Sequence, residues 1–389
     1  MRTALLNART LLDAGFAVEE AVLVDAERIV GIVKAAEIPR TFTRRDLQGA
    51  LLLPGFIDVQ VNGGGGILFN DVRSLTELAR IGDAHRRFGT VGYLPTLISD
   101  DFDVIAGAIE LVEQALTVQM PGILGIHIEG PFLSPARRGV HDASKFRALD
   151  EPAFELLTSL RQGKTVVTLA PETTSTHMIR RLSTAGVMVS AGHTNATYRQ
   201  IRAALDAGLR GFTHLFNAMS PLTGREPGTV GAALEDIHSW CGLILDGHHV
   251  DPVALRLAMR CKPVNRFMLV TDAMPTVGMS GDRFMLQGRA ITVRDGMCVD
   301  AHGTLAGSNL NMAAAVRNAA RVLDITLAQA VRMATEYPAA FLGLEKELGR
   351  IAPGYRANFV IADDALNVLD TWIDGRPAIH LPEPILQTS

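Results

Sequence analysis

The chain has 389 residues, 48% of them hydrophobic and 20% charged, with a formal net charge of −4 at pH 7. Such a balance supplies a sizeable core and excludes a disordered or collagen-like chain; mild acidity without long like-charge runs argues against nucleic acid and anionic membrane surfaces as partners. No apolar stretch reaches the roughly 18 residues that a membrane span needs.

The N-terminal stretch MRTALLNARTLL is broken by Asn7 and Arg9 before a signal-peptide core can form. Residues 1–52 then contain LVDAERIVGIV, two β-rich runs around a polar turn. Eight short apolar, β-branched runs follow, at 51–61, 90–98, 122–130, 164–172, 186–193, 211–216, 241–247 and 267–273. Between most of them lie segments such as 74–89, 196–208 and 251–261, with apolar residues three and four apart, the helical spacing. Strands alternating with helices predict βαβ units, and eight of them predict an α/β chain closed into a (β/α)8 TIM-type barrel over 53–345. The runs are almost entirely apolar, as strands buried on both faces should be. Beyond about residue 345, short strands return between Gly, Pro and Asp turns. Neither end is long enough for a comfortable core, so 1–52 and 346–389 are expected to pair into one small β domain.

A barrel of this kind carries its chemistry at the C-terminal ends of its strands. Those positions hold Gln60 and Asn62, Thr96, Glu129, Glu172, His193, His214, Asp246 and Asp272. Glu129, His193 and His214 supply one carboxylate and two imidazoles, the ligand set of a catalytic zinc site with one position left to water. Each histidine alone reads more readily as a structural residue, and it is the combination that points to a metal; the same trio also suits a non-haem iron site. Asp272 is placed to move protons to and from an activated water, or else to cap the segment that follows. His127 shares a strand face with Glu129 but reads best as a packed, hydrogen-bonded interior residue.

His141, in RRGVHDAS, could polarise a carbonyl or be an ordinary loop histidine. Gly63 to Gly66 permit close backbone approach but lack the spacing and lysine of a phosphate loop. Arg225 and His249 are candidates to hold an anion, Arg225 by its forked donors; a solvated loop arginine is the competing reading. His248 is read as structural, and Cys241, Met259, Met274 and Met285 as ordinary packing. Cys241, Cys261 and Cys298 stand too far apart for a metal knuckle, and an odd number suits a reducing cytoplasm.

PGFIDVQVNGGGG, GIHIEGPFLSPARRGVH, SAGHTNATY, THLFNAMSPL, GREPG, LILDGHHVDP, LVTDAM and LAGSN occur in that order from about residue 50 to 345. Together they resemble the N-acetylglucosamine-6-phosphate deacetylase family of the amidohydrolase superfamily, and the two ends resemble that superfamily's split β-sandwich. HIEGPF and THLFNAM are the specific segments. The resemblance implies hydrolysis of N-acetyl-D-glucosamine 6-phosphate to D-glucosamine 6-phosphate and acetate in amino-sugar metabolism. It implies one divalent ion, zinc by expectation with iron or another ion as alternatives, on Glu129, His193 and His214. Asp272 would be general base and then acid, and His141 would polarise the acetyl carbonyl. Val140, Asn217, Ala218, Arg225, His249, Leu305, Ala306 and Gly307 would line the sugar and phosphate. A soluble homodimer is the typical form of the family.

Many superfamily members carry a His-x-His pair at the end of strand 1 that helps to hold a second metal. Here Gln60 and Asn62 take those places as candidate lining residues, and amides are poor ligands beside imidazoles. The expectation is therefore a single-metal site. Two other readings are carried forward: an amidohydrolase of another N-acyl sugar or cyclic amide, and a non-catalytic sugar-phosphate sensor.

Overall fold

In the computed structural model, which describes residues 2–378, eight strands form one parallel sheet in strict chain order. They are β1 (Phe56–Val61), β2 (Thr90–Ile98), β3 (Gly125–Glu129), β4 (Lys164–Leu169), β5 (Met188–Ala191), β6 (Gly211–Phe212), β7 (Trp240–Leu243) and β8 (Phe267–Leu269). The sheet closes where Val61 bridges Ala273 and the Asp272 N–H donates to Gln60 O at 3.0 Å. The result is a (β/α)8 barrel whose first two strands are buried along their whole length. The outer helices follow their caps. Ser74 accepts from the Glu77 N–H to start Leu75–Arg86, whose Leu78, Ile81 and Ala84 face the strands. Thr197 and Gln200 form a reciprocal box at the start of Tyr198–Asp206.

The run 51–61 is not one strand. Leu51–Pro54 belongs to a flanking six-stranded sheet, pairing parallel with Arg9–Leu12 and antiparallel with Phe359–Ala362. The chain passes into β1 at Gly55, where a Cβ would lie 2.3 Å from the Val91 side chain. A four-stranded sheet of Arg28–Lys34, Glu20–Asp25, Arg2–Leu6 and Thr43–Asp46 completes the small β-sandwich. Leu5, Val22, Ile29, Leu52, Phe359 and Trp372 form the core that both chain ends share. Residues 1 and 379–389 of the unit expected there lie outside the described residues.

Two expected strands are shorter than their apolar runs: β6 ends at Phe212 and β8 at Leu269. The sequence reading also missed an insert after β8. Arg283–Leu286, Arg289–Arg294, Met297–Val299 and Leu305–Ser308 make a four-stranded antiparallel sheet. Its Leu286, Ile291, Cys298 and Ala306 pack on Leu68, Ile98, Val140 and Met274 beside the barrel mouth. Met285, expected to be packed, points outward with 58% of its surface exposed, because alternate residues of this two-sided ribbon face solvent. Among the described residues no helix is long and apolar enough to cross a membrane, and all three cysteines are free.

Candidate active site

Glu129 is the last residue of β3, while His193, His214 and Asp272 follow β5, β6 and β8 by two or three residues. Each of these last three takes a left-handed backbone, with φ of 48°, 35° and 52°. That conformation costs a non-glycine residue of the order of 1–3 kcal/mol, so the surroundings must enforce it. They do so through backbone hydrogen bonds. Ser134 N–H donates to His193 O at 2.9 Å, Leu215 N–H to Gly242 O at 2.8 Å, and Ser308 N–H to Asp272 O at 2.9 Å. The turned backbone swings each side chain off its strand and over the barrel axis.

The side chains then converge. Glu129 Oε1 lies 3.2 Å from His193 Nε2 and 3.0 Å from His214 Nε2, and the two Nε2 atoms are 3.1 Å apart. These spacings are close to the roughly 3.3 Å edge of a tetrahedron of nitrogen and oxygen donors around zinc. His193 donates its Nδ1–H to Arg137 O at 2.9 Å, which leaves the Nε2 lone pair facing the centre. Burial alone would raise the Glu129 carboxyl, but the two imidazoles against it hold it well below the ordinary carboxylate range. His214 is raised although burial opposes it, because Glu129 sits against it. The cluster therefore draws in positive charge, and all three residues are buried. The donor set fits a single divalent cation.

Asp272 lies on the far side of Glu129. Gln60 Nε2 donates to Glu129 Oε2 at 3.2 Å and to Asp272 Oδ1 at 3.0 Å, and Asn62 Nδ2 donates to the same Oδ1 at 2.6 Å. Burial, and then the charge of Glu129, push Asp272 up to about 6, near the working range of a general base. His141 stands across the cavity with its ring edge-on to His193, centroids 4.4 Å apart. The Ser99 N–H donates to its Nδ1 at 3.3 Å and the Ser99 hydroxyl lies 2.8 Å from the same nitrogen. A backbone N–H can only donate, so the neutral ring carries its proton on Nε2. Burial, reinforced by neighbouring His193, pushes His141 down to about 3, which keeps it a neutral donor.

A cavity of about 390 Å³ opens above these groups. Of the anticipated lining residues, Asn62, Val140, Asn217, Ala218, His249, Leu305 and Gly307 face it. His249 is oriented by Asp246, whose Oδ2 accepts from its Nδ1 at 2.6 Å. Gln60 sits behind the carboxylates, and Ala306 is buried in the core of the insert. Arg225 does not reach the cavity. It is exposed on the loop 221–227, where Thr223 and Glu226 hydrogen-bond each other and Glu226 Oε1 accepts from Tyr198 N–H and Gly228 N–H. That tight turn directs the guanidinium to solvent.

Other strand-end residues support the site. Thr96 Oγ1 accepts from Val61 N–H. Glu172 accepts from Thr194 Oγ1 and Asn195 N–H, both at 2.5 Å, clamping the turn after His193. His127, as anticipated, is an interior residue bonded to Val59 O and Thr168 Oγ1. Sequence reasoning missed Asp58. It is fully buried and binds Thr271 through its hydroxyl at 2.5 Å and its N–H at 3.3 Å, locking β1 to the end of β8. Its signal was parity: Asp58, Gln60 and Asn62 share one strand face.

The profile of the amidohydrolase family matches residues 51–378. An N-acetylgalactosamine-6-phosphate deacetylase of Shewanella sp. (strain ANA-3) is 47% identical over 330 residues, covering 85% of this chain and 83% of its own. An N-acetylglucosamine-6-phosphate deacetylase of Haemophilus influenzae is 34% identical, covering 97% of this chain and 99% of its own. The fold is similar, with a TM-score of 0.88, to a mutant N-acetyl-D-glucosamine-6-phosphate deacetylase from Mycobacterium smegmatis in complex with N-acetyl-D-glucosamine 6-phosphate. That structure is 32% identical and covers 97% of this chain and 100% of its own.

Proposed function

The chain belongs to the amidohydrolase family and within it to the amino-sugar-phosphate deacetylases, and on that footing we propose that it hydrolyses N-acetyl-D-glucosamine 6-phosphate to the free amine and acetate. The observation that carries this reading is one cavity with Glu129, His193 and His214 gathered at its floor and Asp272 and His141 flanking them. Glu129, His193 and His214 would hold one divalent ion, zinc by its preference for this donor set. When bound, the ion supplies Lewis acidity, which acidifies water and polarises the acyl oxygen.

The chain's own groups cover the remaining needs of amide hydrolysis. Asp272 takes a proton from the attacking water and returns it to the departing nitrogen. Its Oδ1 is held by two amide donors, so Oδ2 is the oxygen that exchanges the proton. His141 donates its Nε2–H to the acyl oxygen as charge develops there. Asn217, Ala218 and the backbone around Gly307 line the sugar, and His249, steadied by Asp246, faces the phosphate end. Asn62 and Gln60 occupy the places of second-metal imidazoles and are spent on the carboxylates, which supports a single-ion site.

We read the working form as a cytoplasmic homodimer in amino-sugar metabolism. Three free cysteines support the compartment. The exposure of Arg225, with Leu222 on the same loop 56% exposed, supports an arginine delivered to the phosphate by a second copy.

The test is acetate release by metal-replete protein from the phosphorylated sugar and from plain N-acetylglucosamine, with metal content measured on the same sample. A strong preference for the phosphorylated sugar with about one ion per chain supports the reading; equal rates leave an amidohydrolase without phosphate recognition. The 47% identical Shewanella relative favours a second reading, in which the galactose epimer is the better substrate. Running both epimers side by side decides between them.

A further inference from the structure

The insert after β8 grips both sides of the cavity. On one side the Ser308 N–H donates to Asp272 O at 2.9 Å, and Ser308 O accepts from Met274 N–H at 2.9 Å. On the other side the turn 286–289 reaches across to the loop that carries His141. Gln287 Nε2 donates to Ser99 O at 2.7 Å, and the Arg289 guanidinium donates to Val140 O. Ser99 is the residue whose N–H and hydroxyl hold His141 Nδ1, and Val140 precedes His141 in the chain. Gln287 adopts a left-handed backbone, φ 47°, at the tip from which its amide makes this contact. Leu286 and Ile291 bury themselves against Ile98 and Val140, so the tip is seated by apolar contact as well as by hydrogen bonds.

We propose that Arg289, seconded by Gln287, is a positioning residue for His141: it holds the Val140 carbonyl and thereby the ring whose Nε2–H meets the acyl oxygen. The inference rests on the deacetylase reading of the cavity. Arginine suits the task because its planar fork is stiff and stays charged. A ring displaced by a fraction of an ångström no longer meets its acceptor, and misplacement of about 1 Å can cost a hundredfold.

The test compares Arg289→Met, Arg289→Lys and Gln287→Ala as metal-replete proteins. Arg289→Met is expected to lower kcat about tenfold to a hundredfold, with KM, metal content and unfolding midpoint near wild type. Arg289→Lys regains most of that loss, since its ammonium still donates to Val140 O. Histidine-ring nitrogen NMR reads the placement without turnover: His141 is a single Nε2–H tautomer in wild type and a mixture in Arg289→Met. Full kcat in folded Arg289→Met, or an unchanged His141 tautomer, overturns the proposal; so does a loss confined to the unfolding midpoint. Should Arg289→Met fail to fold, Gln287→Ala carries the same expectation for kcat and tautomer. A wild type that releases no acetate sinks the deacetylase reading, while the ring spectra still decide whether the insert places His141.

Discussion

Asn62 donates to Oδ1 of Asp272 at 2.6 Å, across the seam where the first and last barrel strands meet. The same oxygen accepts from Gln60, so one face of the carboxylate is saturated with donors and the other is left for chemistry. Two amides, Gln60 on β1 and Asn62 directly after it, thus orient the Asp272 carboxylate. The seam is held from below by Asp58, which ties Thr271 to β1, and from the side by Ser308. Asp272 is thus held from two sides, by the β1 end and by the insert, and its left-handed backbone is the signature of that constraint.

Replacing the proposed base leaves the three proposed metal donors intact. Asp272→Asn is expected to lose about a hundredfold to ten-thousandfold in kcat while retaining its ion, since none of Glu129, His193 and His214 is touched. Metal analysis beside single-turnover kinetics checks both halves, and near-normal turnover would remove Asp272 from the reaction.

Removing a donor from a carboxylate destabilises its charged form and raises its pKa. Asn62→Ala therefore moves the acidic limb of the kcat/KM profile upward, because Asp272 must be deprotonated to accept the proton. A pH–rate profile of the two proteins measures the displacement. A downward or absent shift would mean that the acidic limb belongs to another group.

The clamp behind His193 gives a prediction about metal affinity. Glu172→Gln keeps one oxygen acceptor and loses the other, freeing either Thr194 or Asn195. Partners that orient a ligand typically contribute about tenfold to a hundredfold in affinity, so chelator competition should show a loss of that size. His193→Asn, which removes the donor itself, should lose metal and rate together. Full metal content in His193→Asn would contradict the ligand assignment.

The barrel was legible because its strands are buried on both faces and read as unbroken apolar runs; β1 and β2 hide every residue. That Glu129, His193 and His214 would gather at one mouth was legible because polar groups at the ends of such runs have no packing reason to be there. Hydrophobicity could not reveal where β6 and β8 stop, since Leu215 and Val270 stay buried after the ladder ends. The insert was missed because Arg283, Arg289 and Arg294 interrupt its short runs. Its Gln-Gly and Asp-Gly pairs at 287–288 and 295–296 were nonetheless hairpin signals, and both pairs adopt the positive φ angles such turns require. Arg225 was placed by motif alone, and a motif carries no information about which way a loop faces.

Acid should weaken the fold through its buried imidazoles. Burial pushes His85 down to about 4, where its Nε2 contacts Gly63 O at 2.8 Å. Folded chains keep His85 neutral while unfolded chains take up a proton below about 6.5. Its contribution is therefore fully present above pH 6.5 and lost as pH falls from there towards 4, on the order of 2 kcal/mol by pH 5. His85→Gln keeps a donor for Gly63 O without titrating. Urea midpoints measured at about pH 7.5 and about pH 5 should fall less in the variant. His127, pushed down to about 4 in the same way, leaves a residual slope.

The exposure of Arg225 sets up the sharpest test of assembly. Arg225→Ala should raise KM for the phosphorylated sugar far more than for the plain sugar, since its fork suits a phosphate. In the isolated chain that guanidinium is turned away from the cavity by the hydrogen-bonded loop 223–226. An effect on phosphate recognition then requires a second copy to present it. Mixing Arg225→Ala chains with Asp272→Asn chains separates the cases, because each variant alone lacks one necessary group. In a mixed dimer with the arginine acting across the interface, the Arg225→Ala chain keeps its own Asp272 and receives Arg225 from its neighbour. One site in that dimer is whole, and activity at low substrate concentration returns. If Arg225 served its own chain, every site in the mixture would lack either the base or the arginine, and no activity would be regained.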